Sequence, residues 1–157
     1  MISVVVGNPK PRSRTRDAAV QLAEAVMGSA PDVIVDVADL GSGLLGWGNP
    51  AVAEAVEATC SSTVCVVASP TFKATYTGLL KLFLDQIPTG GLDGVTALPL
   101  MLGAGHGHAM APDLLLKPVL VELGATCPVP GPYLLDSDYG PGQARDAWVK
   151  KAQRFFA

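Results

Sequence analysis

The sequence predicts an α/β fold in which five parallel strands, in the order 2-1-3-4-5, form one sheet covered by helices on both faces. Short, almost fully apolar runs alternate with longer segments of helical periodicity, which is the pattern of β-α-β units. Hydrophobic residues make up 49% of the 157 residues and charged residues 16%, so a single domain over residues 1–157 is expected. The predicted strands are 2–6, 33–37, 63–68, 95–102 and a weaker one at 126–135.

Five helices are predicted between and after these strands. The second begins at Pro50 behind a capping Asn49, and Pro118 should kink the fourth. The third is apolar on more than one stripe, which favours contact with a second subunit. The predicted helices are 15–27, 50–59, 76–86, 112–123 and 141–156.

Composition argues against several classes of protein. No run of about 20 apolar residues is present, so no membrane span is expected. The first residues lack the pattern of a signal peptide, and we expect a cytoplasmic protein. The net charge of −3 gives no basic surface for nucleic acid. Cys60, Cys65 and Cys127 show neither disulfide nor zinc spacing and are interpreted as small core residues.

The loop after the first strand carries a local cluster of positive charge. Four of the eleven basic residues fall within residues 10–16, and the next one is Lys73. Ser13 and Thr15 lie where the first helix begins and its amides are free, so the loop would attract a small anion such as a phosphate group. Lys10, Arg12 or Arg14 would add charge-assisted bonds. An exposed loop with an ordinary helix cap is the alternative reading.

Two further loops should lie at the same edge of the sheet, where ligands bind in this architecture. Residues 69–78 follow the most apolar strand and offer two aromatic side chains, Phe72 and Tyr76, against which a flat ring would pack. Both aromatics would otherwise be ordinary core or interface residues. Residues 103–108 contain three glycines, which let the backbone approach a ligand. His106 and His108 lack a third ligand for a metal, so ligand contact or a plain loop is favoured.

The segment Gly41–Gly46 matches the letters of a dinucleotide-binding fingerprint. It follows the second strand rather than the first, and no helix follows it directly. The match is therefore interpreted as accidental.

Taken together, these loops resemble those of the flavodoxin-like NAD(P)H-dependent FMN reductases, in particular the reductases that serve two-component alkanesulfonate monooxygenases. The family's Gly, Ser, Arg and two spaced hydroxyls are matched by Gly7, Asn8, Lys10, Ser13 and Thr15. Residues 69–81 resemble a family segment that runs from Ser/Thr-Pro through an aromatic and Tyr to an apolar helix start. Residues 98–103 and 108–120 also resemble the sulfonate-linked members.

The resemblance implies a flavodoxin-like three-layer sandwich that binds FMN and takes hydride from NADPH or NADH. It further implies a homodimer or homotetramer built partly on the third helix, and a flavin-dependent monooxygenase that would receive reduced FMN. An FMN-bound quinone, azo or metal reductase and a non-enzymatic flavodoxin-type electron carrier remain alternatives. The predicted cofactor-binding residues are Asn8, Lys10, Ser13, Arg14, Thr15, Pro70, Thr71, Phe72, Lys73, Tyr76, Gly103, Ala104, Gly105 and His106. No acid, base or metal ligand is assigned.

Overall fold

A computed structural model of the chain, which describes residues 1–156, contains one sheet of five parallel strands. The strand order is β2-β1-β3-β4-β5, as the sequence predicts. Val6 of β1 pairs with Asp36 of β2 and with Ala68 of β3, so the carboxyl ends of the central strands share one edge. The strands are β1 (Ile2–Val6), β2 (Val33–Asp36), β3 (Val64–Pro70), β4 (Thr96–Gly103) and β5 (Tyr133–Leu135).

Helices cover both faces of this sheet because the central strands are apolar on both. Alternate strand residues such as Val4, Val66 and Leu100 pack with α1 and α5, and their neighbours such as Val5 and Val67 pack with α2, α3 and α4. The helices are α1 (Arg14–Met27), α2 (Pro50–Cys60), α3 (Gly78–Leu84), α4 (Lys117–Glu122) and α5 (Gln143–Gln153).

The starts of the first two helices follow from their capping residues. Ser13 caps α1 by accepting a hydrogen bond from the Arg16 amide, and Gly28 ends that helix in the left-handed region at φ 73°. Asn49 caps α2 with Pro50 at the first helical position, as predicted.

Several predicted elements differ from the structure, among them the fifth helix, which spans Gln143–Gln153 instead of 141–156. The third helix begins at Gly78 rather than 76, because Thr77 provides its cap. The predicted fourth helix is divided into a π-helical turn over Pro112–Leu116 and α4, which follows directly and has Pro118 in its first turn. The fifth strand is confined to Tyr133–Leu135 instead of 126–135.

Candidate functional site

A cleft of about 380 Å³ opens at the carboxyl edge of the sheet. Its walls come from the loops after β1, β3, β4 and β5, so residues far apart in the chain meet there. The lining residues are Asn8, Lys10, Arg12, Ser13, Arg14, Thr15, Asp17, Pro70, Thr71, Phe72, Leu102, Gly103, Ala104 and Asp136.

The β1–α1 loop is held in shape by its own side chains. Asn8 donates from Nδ2 to Oγ1 of Thr15 at 2.9 Å and accepts from the Lys10 amide at 2.9 Å. The Ser13 and Thr15 hydroxyls are buried, and each accepts a hydrogen bond from the protein. Each hydroxyl proton therefore stays available to an acceptor, beside first-turn amides that have no carbonyl partner within the helix.

Buried hydroxyl groups fix the β3–α3 loop against the β1–α1 loop. Thr77 donates from Oγ1 to the Gly7 carbonyl at 2.5 Å, and the same oxygen accepts from the Leu80 amide. Ser69 accepts from the Thr77 amide at 3.0 Å and donates to the Pro70 carbonyl. Two walls of the cleft are thus joined through one threonine.

The β3–α3 loop contains a tight hairpin that presents an aromatic side chain. Phe72 and Thr75 exchange backbone hydrogen bonds, and the two residues between them, Lys73 and Ala74, have φ of 51° and 72°. Glycine and asparagine normally occupy such positions, so this turn carries backbone strain. The Phe72 side chain is 51% exposed at the cleft wall.

A second cleft of about 380 Å³ adjoins the first and shares Thr71, Gly103 and Ala104 with it. Tyr133 of β5 lies between the two loops that line it: its hydroxyl accepts from Thr71 Oγ1 at 3.4 Å and donates to the Gly105 carbonyl at 3.1 Å. A Cβ at position 103 would overlap the Tyr133 hydroxyl, so only glycine fits there. The other lining residues are Lys73, Ala74, Gly105, Gly107 and His108.

Residues of both charge signs line the first cleft. Lys10, Arg12 and Arg14 line it together with Asp17 and Asp136. Arg14 reaches across the cleft mouth to Asp136, with 3.4 Å between Nη2 and Oδ2.

A half-buried carboxylate at the end of β2 contacts the β1–α1 loop. Asp36, at the end of β2, accepts from the Arg12 amide at 2.8 Å through Oδ2, and its Oδ1 is buried with no hydrogen-bond partner among the described residues. Burial is the largest influence on the pKa of Asp36 and raises it, although the Arg12 hydrogen bond acts in the opposite direction.

Twelve of the fourteen predicted binding residues line one of these two clefts. Tyr76 does not: it is half-buried against the core under α2, α3 and α4. His106 lies in the turn after β4 and lines a separate depression near the start of α5.

Asp136 and Tyr133 are not among the residues predicted from the sequence. The predicted site includes the loops after the first, third and fourth strands only, whereas the fifth strand of a parallel sheet ends at the same edge. That rule alone would have added the residues that flank Leu135.

The cysteines and histidines form no metal centre in residues 1–156, where no group of three potential ligands converges. All three cysteines are free; Cys65 is fully buried, and burial raises the pKa of its thiol to about 12. Over the same residues, every helix is too short or too polar to cross a bilayer.

The parallel order 2-1-3-4-5, with an anion-attracting helix start at the switch point, defines a flavodoxin-like domain. A family model for NADPH-dependent FMN reductases matches residues 1–140. The chain therefore belongs to the NADPH-dependent FMN reductase family.

Two curated relatives carry the name FMN reductase (NADPH). The protein from Escherichia coli K12 is 40% identical over 77 residues, which are 49% of this chain and 40% of the relative. The protein from Pseudomonas putida KT2440 is 38% identical over 72 residues, 46% of this chain and 36% of the relative. The matches thus span well under half the length of these relatives.

Solved structures match over nearly the whole chain. The apo form of the NADH:FMN oxidoreductase EmoB has a TM-score of 0.87 and 32% identity, covering 99% of this chain and 87% of the other. An oxidoreductase from Corynebacterium diphtheriae has a TM-score of 0.80 and 26% identity, covering 98% and 91%.

Proposed function

We propose that the protein is an NAD(P)H-dependent FMN reductase that binds FMN in the cleft at the carboxyl edge of its sheet. The observation that carries the proposal is the start of α1, where the hydroxyl-bearing residues Ser13 and Thr15 line the same cleft as Lys10, Arg12 and Arg14. This donor set is suited to a phosphate monoester. Family membership and the similarity to EmoB favour FMN as the molecule that carries it.

The remaining walls suit the other parts of FMN. The exposed ring of Phe72 and the glycine-rich end of β4 offer a flat surface and close backbone approach to an isoalloxazine ring. Thr71 and Tyr133, joined by a hydrogen bond, fix the spacing of those two walls. We assign the phosphate to the β1–α1 loop and the ring to the loops after β3 and β4.

When bound, FMN would supply the hydride-accepting centre. The chain's own residues would hold the nicotinamide against the flavin and exclude water, and we assign no side chain as acid or base. For the 2′-phosphate that separates NADPH from NADH, Arg12, Arg14 and Lys73 are the candidate partners.

We also propose that the chain self-associates through an apolar face on α4 and the π-helical turn before it. Met110, Leu114, Leu115 and Val121 are exposed there, and Leu82 of α3 is 37% exposed. Lys117 and Asp113 form an ion pair, with 3.8 Å between Nζ and Oδ1, so these charges on α4 and the turn are matched. A second copy would cover this face by an isologous contact.

Reduced FMN would be released to a flavin-dependent monooxygenase, as the resemblance to the sulfonate-linked reductases implies. The three free cysteines favour a reducing compartment, and we place the reaction in the cytoplasm.

The first experiment titrates the purified protein with FMN and then follows oxidation of NADPH and NADH in air. Saturable binding, with oxidation that depends on added FMN, is the expected result and would reveal the nucleotide preference. Tight retention of flavin through gel filtration, with turnover of a quinone, azo dye or metal ion, would favour the alternative reductase. Absence of flavin binding would overturn the proposal.

The phosphate assignment is tested with the double variant S13A/T15A. We expect FMN affinity to fall at least tenfold, about 1.4 kcal/mol, because both hydroxyl donors are lost. Riboflavin, which lacks the phosphate, should bind the variant and the parent protein equally. The matched control is S3A/S62A, which removes a buried hydroxyl pair (2.9 Å) that lies outside the cleft lining. Unchanged FMN affinity in S13A/T15A would overturn the assignment.

A further inference from the structure

Asp136 places a negative charge inside a cleft whose proposed ligand is itself an anion. It follows β5, lines the cleft opposite the start of α1, and its side chain is 36% exposed. A phosphate monoester carries a charge of about −1.5 to −2 at pH 7. A carboxylate beside the phosphate would repel it, so Asp136 at this position would weaken the binding of FMN.

Asp136 also contacts Arg14, one of the cationic residues of the cleft. Arg14 Nη1 donates to the Asp136 backbone carbonyl at 3.0 Å, and Arg14 Nη2 donates to the carboxylate at 3.4 Å. Arg14 is also the first residue of α1, directly between Ser13 and Thr15. Arg14 lines the same cleft as Ser13, Thr15 and Asp136, so a phosphate bound at the start of α1 and the carboxylate of Asp136 would both attract its guanidinium.

The ion pair itself adds little to stability or to the position of Arg14. The arginine side chain is 62% exposed, and exposed pairs contribute little net free energy. The backbone carbonyl of Asp136 holds the guanidinium at a shorter distance than the carboxylate does. The carboxylate is thus not needed to position Arg14, and its main effect would be electrostatic.

The charges that line the cleft support an electrostatic role for Asp136. Lys10, Arg12 and Arg14 supply three positive charges, and Asp17 and Asp136 supply two negative ones. The net positive charge facing a nearly dianionic ligand is therefore small, whereas without Asp136 it would double.

We propose that Asp136 competes with the FMN phosphate for Arg14 and so keeps flavin exchangeable. The inference rests on the proposed FMN site and specifies how that site operates: FMN enters and leaves as a substrate instead of remaining as a fixed cofactor. Asp136 is in this sense a specificity-determining residue that adjusts how long the phosphate-bearing flavin stays.

The test compares D136N with D138N. Asparagine at 136 removes the charge but leaves the backbone carbonyl contact to Arg14 and a side-chain acceptor. D138N makes the same change of charge two residues later, at an exposed residue outside the FMN cleft lining. FMN and riboflavin affinities are measured by flavin fluorescence, and FMN release is measured by stopped flow after mixing with a competing apoflavoprotein.

We expect D136N to bind FMN about tenfold more tightly and to release it correspondingly more slowly, with riboflavin affinity unchanged. D138N should behave like the parent protein in all three measurements. In the R14Q background, D136N should tighten FMN binding less than it does in the parent protein, because only the direct repulsion of the phosphate is then relieved and no guanidinium is set free.

Two results would overturn the inference while leaving the FMN site intact: unchanged or weaker FMN binding in D136N, or an equal gain for riboflavin, which has no phosphate. Failure of the parent protein to bind FMN is a different result, which would overturn the proposed function itself.

Discussion

Thr77 connects two loops of the cleft through a single buried hydroxyl. Its Oγ1 donates to the Gly7 carbonyl and accepts from the Leu80 amide, the latter as the cap of α3. Thr77→Val removes both interactions at nearly constant volume. We expect the free energy of unfolding to fall by about 1–3 kcal/mol, because a helix cap is lost and a buried carbonyl loses its donor.

Urea denaturation measures that loss, and Thr77→Ser is the matched control. Serine retains the hydroxyl and should keep most of the stability. If the valine and serine variants unfold at the same midpoint, the hydroxyl does not carry this contact.

The raised pKa of Asp36 predicts that the free energy of unfolding depends on pH. Its pKa is raised above the ordinary 3.8, chiefly by burial, so the folded protein binds more protons than the unfolded chain between 3.8 and the raised value. The contribution of Asp36 to stability therefore decreases as the pH rises through that window. We expect D36N, which keeps an acceptor for the Arg12 amide, to gain stability relative to the parent protein between pH 4 and pH 7.

Urea unfolding of both proteins at the two pH values measures this difference. E24Q is the control for the general effect of removing one negative charge, because Glu24 is exposed and is not among the groups that shift the pKa of Asp36. An equal gain for E24Q, or a difference of the opposite sign, would contradict the assignment to the Asp36 carboxylate.

At the scale of elements, backbone strain in the hairpin after β3 lowers the free energy of unfolding. Ala74 has φ of 72°, a region that costs an L-residue roughly 1–2 kcal/mol and glycine almost nothing. Ala74→Gly should raise the free energy of unfolding by about 0.5–1 kcal/mol, since the greater freedom of unfolded glycine offsets part of the relief.

Thermal or urea unfolding checks this prediction, with Ala53→Gly as the control of opposite sign. Ala53 is an exposed residue inside α2, where glycine should cost about 0.5–1 kcal/mol. Loss of stability in both variants would show that the hairpin is not strained.

The sequence predicts elements well where a local signal marks their ends. Ser13 and Gly28 mark the limits of α1 because a cap and a left-handed glycine act within one turn. The fifth strand lacks such a signal. Pro128, Pro130 and Pro132 have no amide to donate, so the continuous strand covers only Tyr133–Leu135 and Thr126 makes an isolated bridge to Thr96, although residues 126–135 are apolar enough to predict a longer strand.

The candidate site likewise contains residues that the sequence predicts and residues that it does not. The β1–α1 loop could be predicted because its hydroxyls, its cations and the helix start are contiguous in sequence. The Arg14–Asp136 pair, 122 residues apart, depends on the tertiary fold. The left-handed Lys73 and Ala74 also escape prediction, because neither residue type signals that backbone conformation.

At the scale of the whole molecule, the parallel topology explains why one edge carries the site. Every strand ends at that edge, so four loops converge on one cleft while the opposite edge receives the strand starts. The helices bury their apolar faces against the sheet with one clear exception. The π-helical turn and α4 leave Leu114 63% and Val121 52% exposed.

That exception predicts self-association. The variant L114E/V121E places two charges on the face that we propose a second copy covers. The dissociation constant of the assembly should therefore rise at least tenfold. Both side chains are already exposed in the single chain, and the monomer should therefore remain folded.

Light scattering coupled to gel filtration measures the mass, and circular dichroism checks the fold. The matched control is Leu45→Glu, since Leu45 is 76% exposed on the segment after β2 and should not affect assembly. A parent protein that is monomeric at micromolar concentration would contradict the proposal directly. If Leu45→Glu weakens the assembly equally, the contact between copies would instead lie on the surface after β2, because a new charge weakens assembly only when it lies inside that contact.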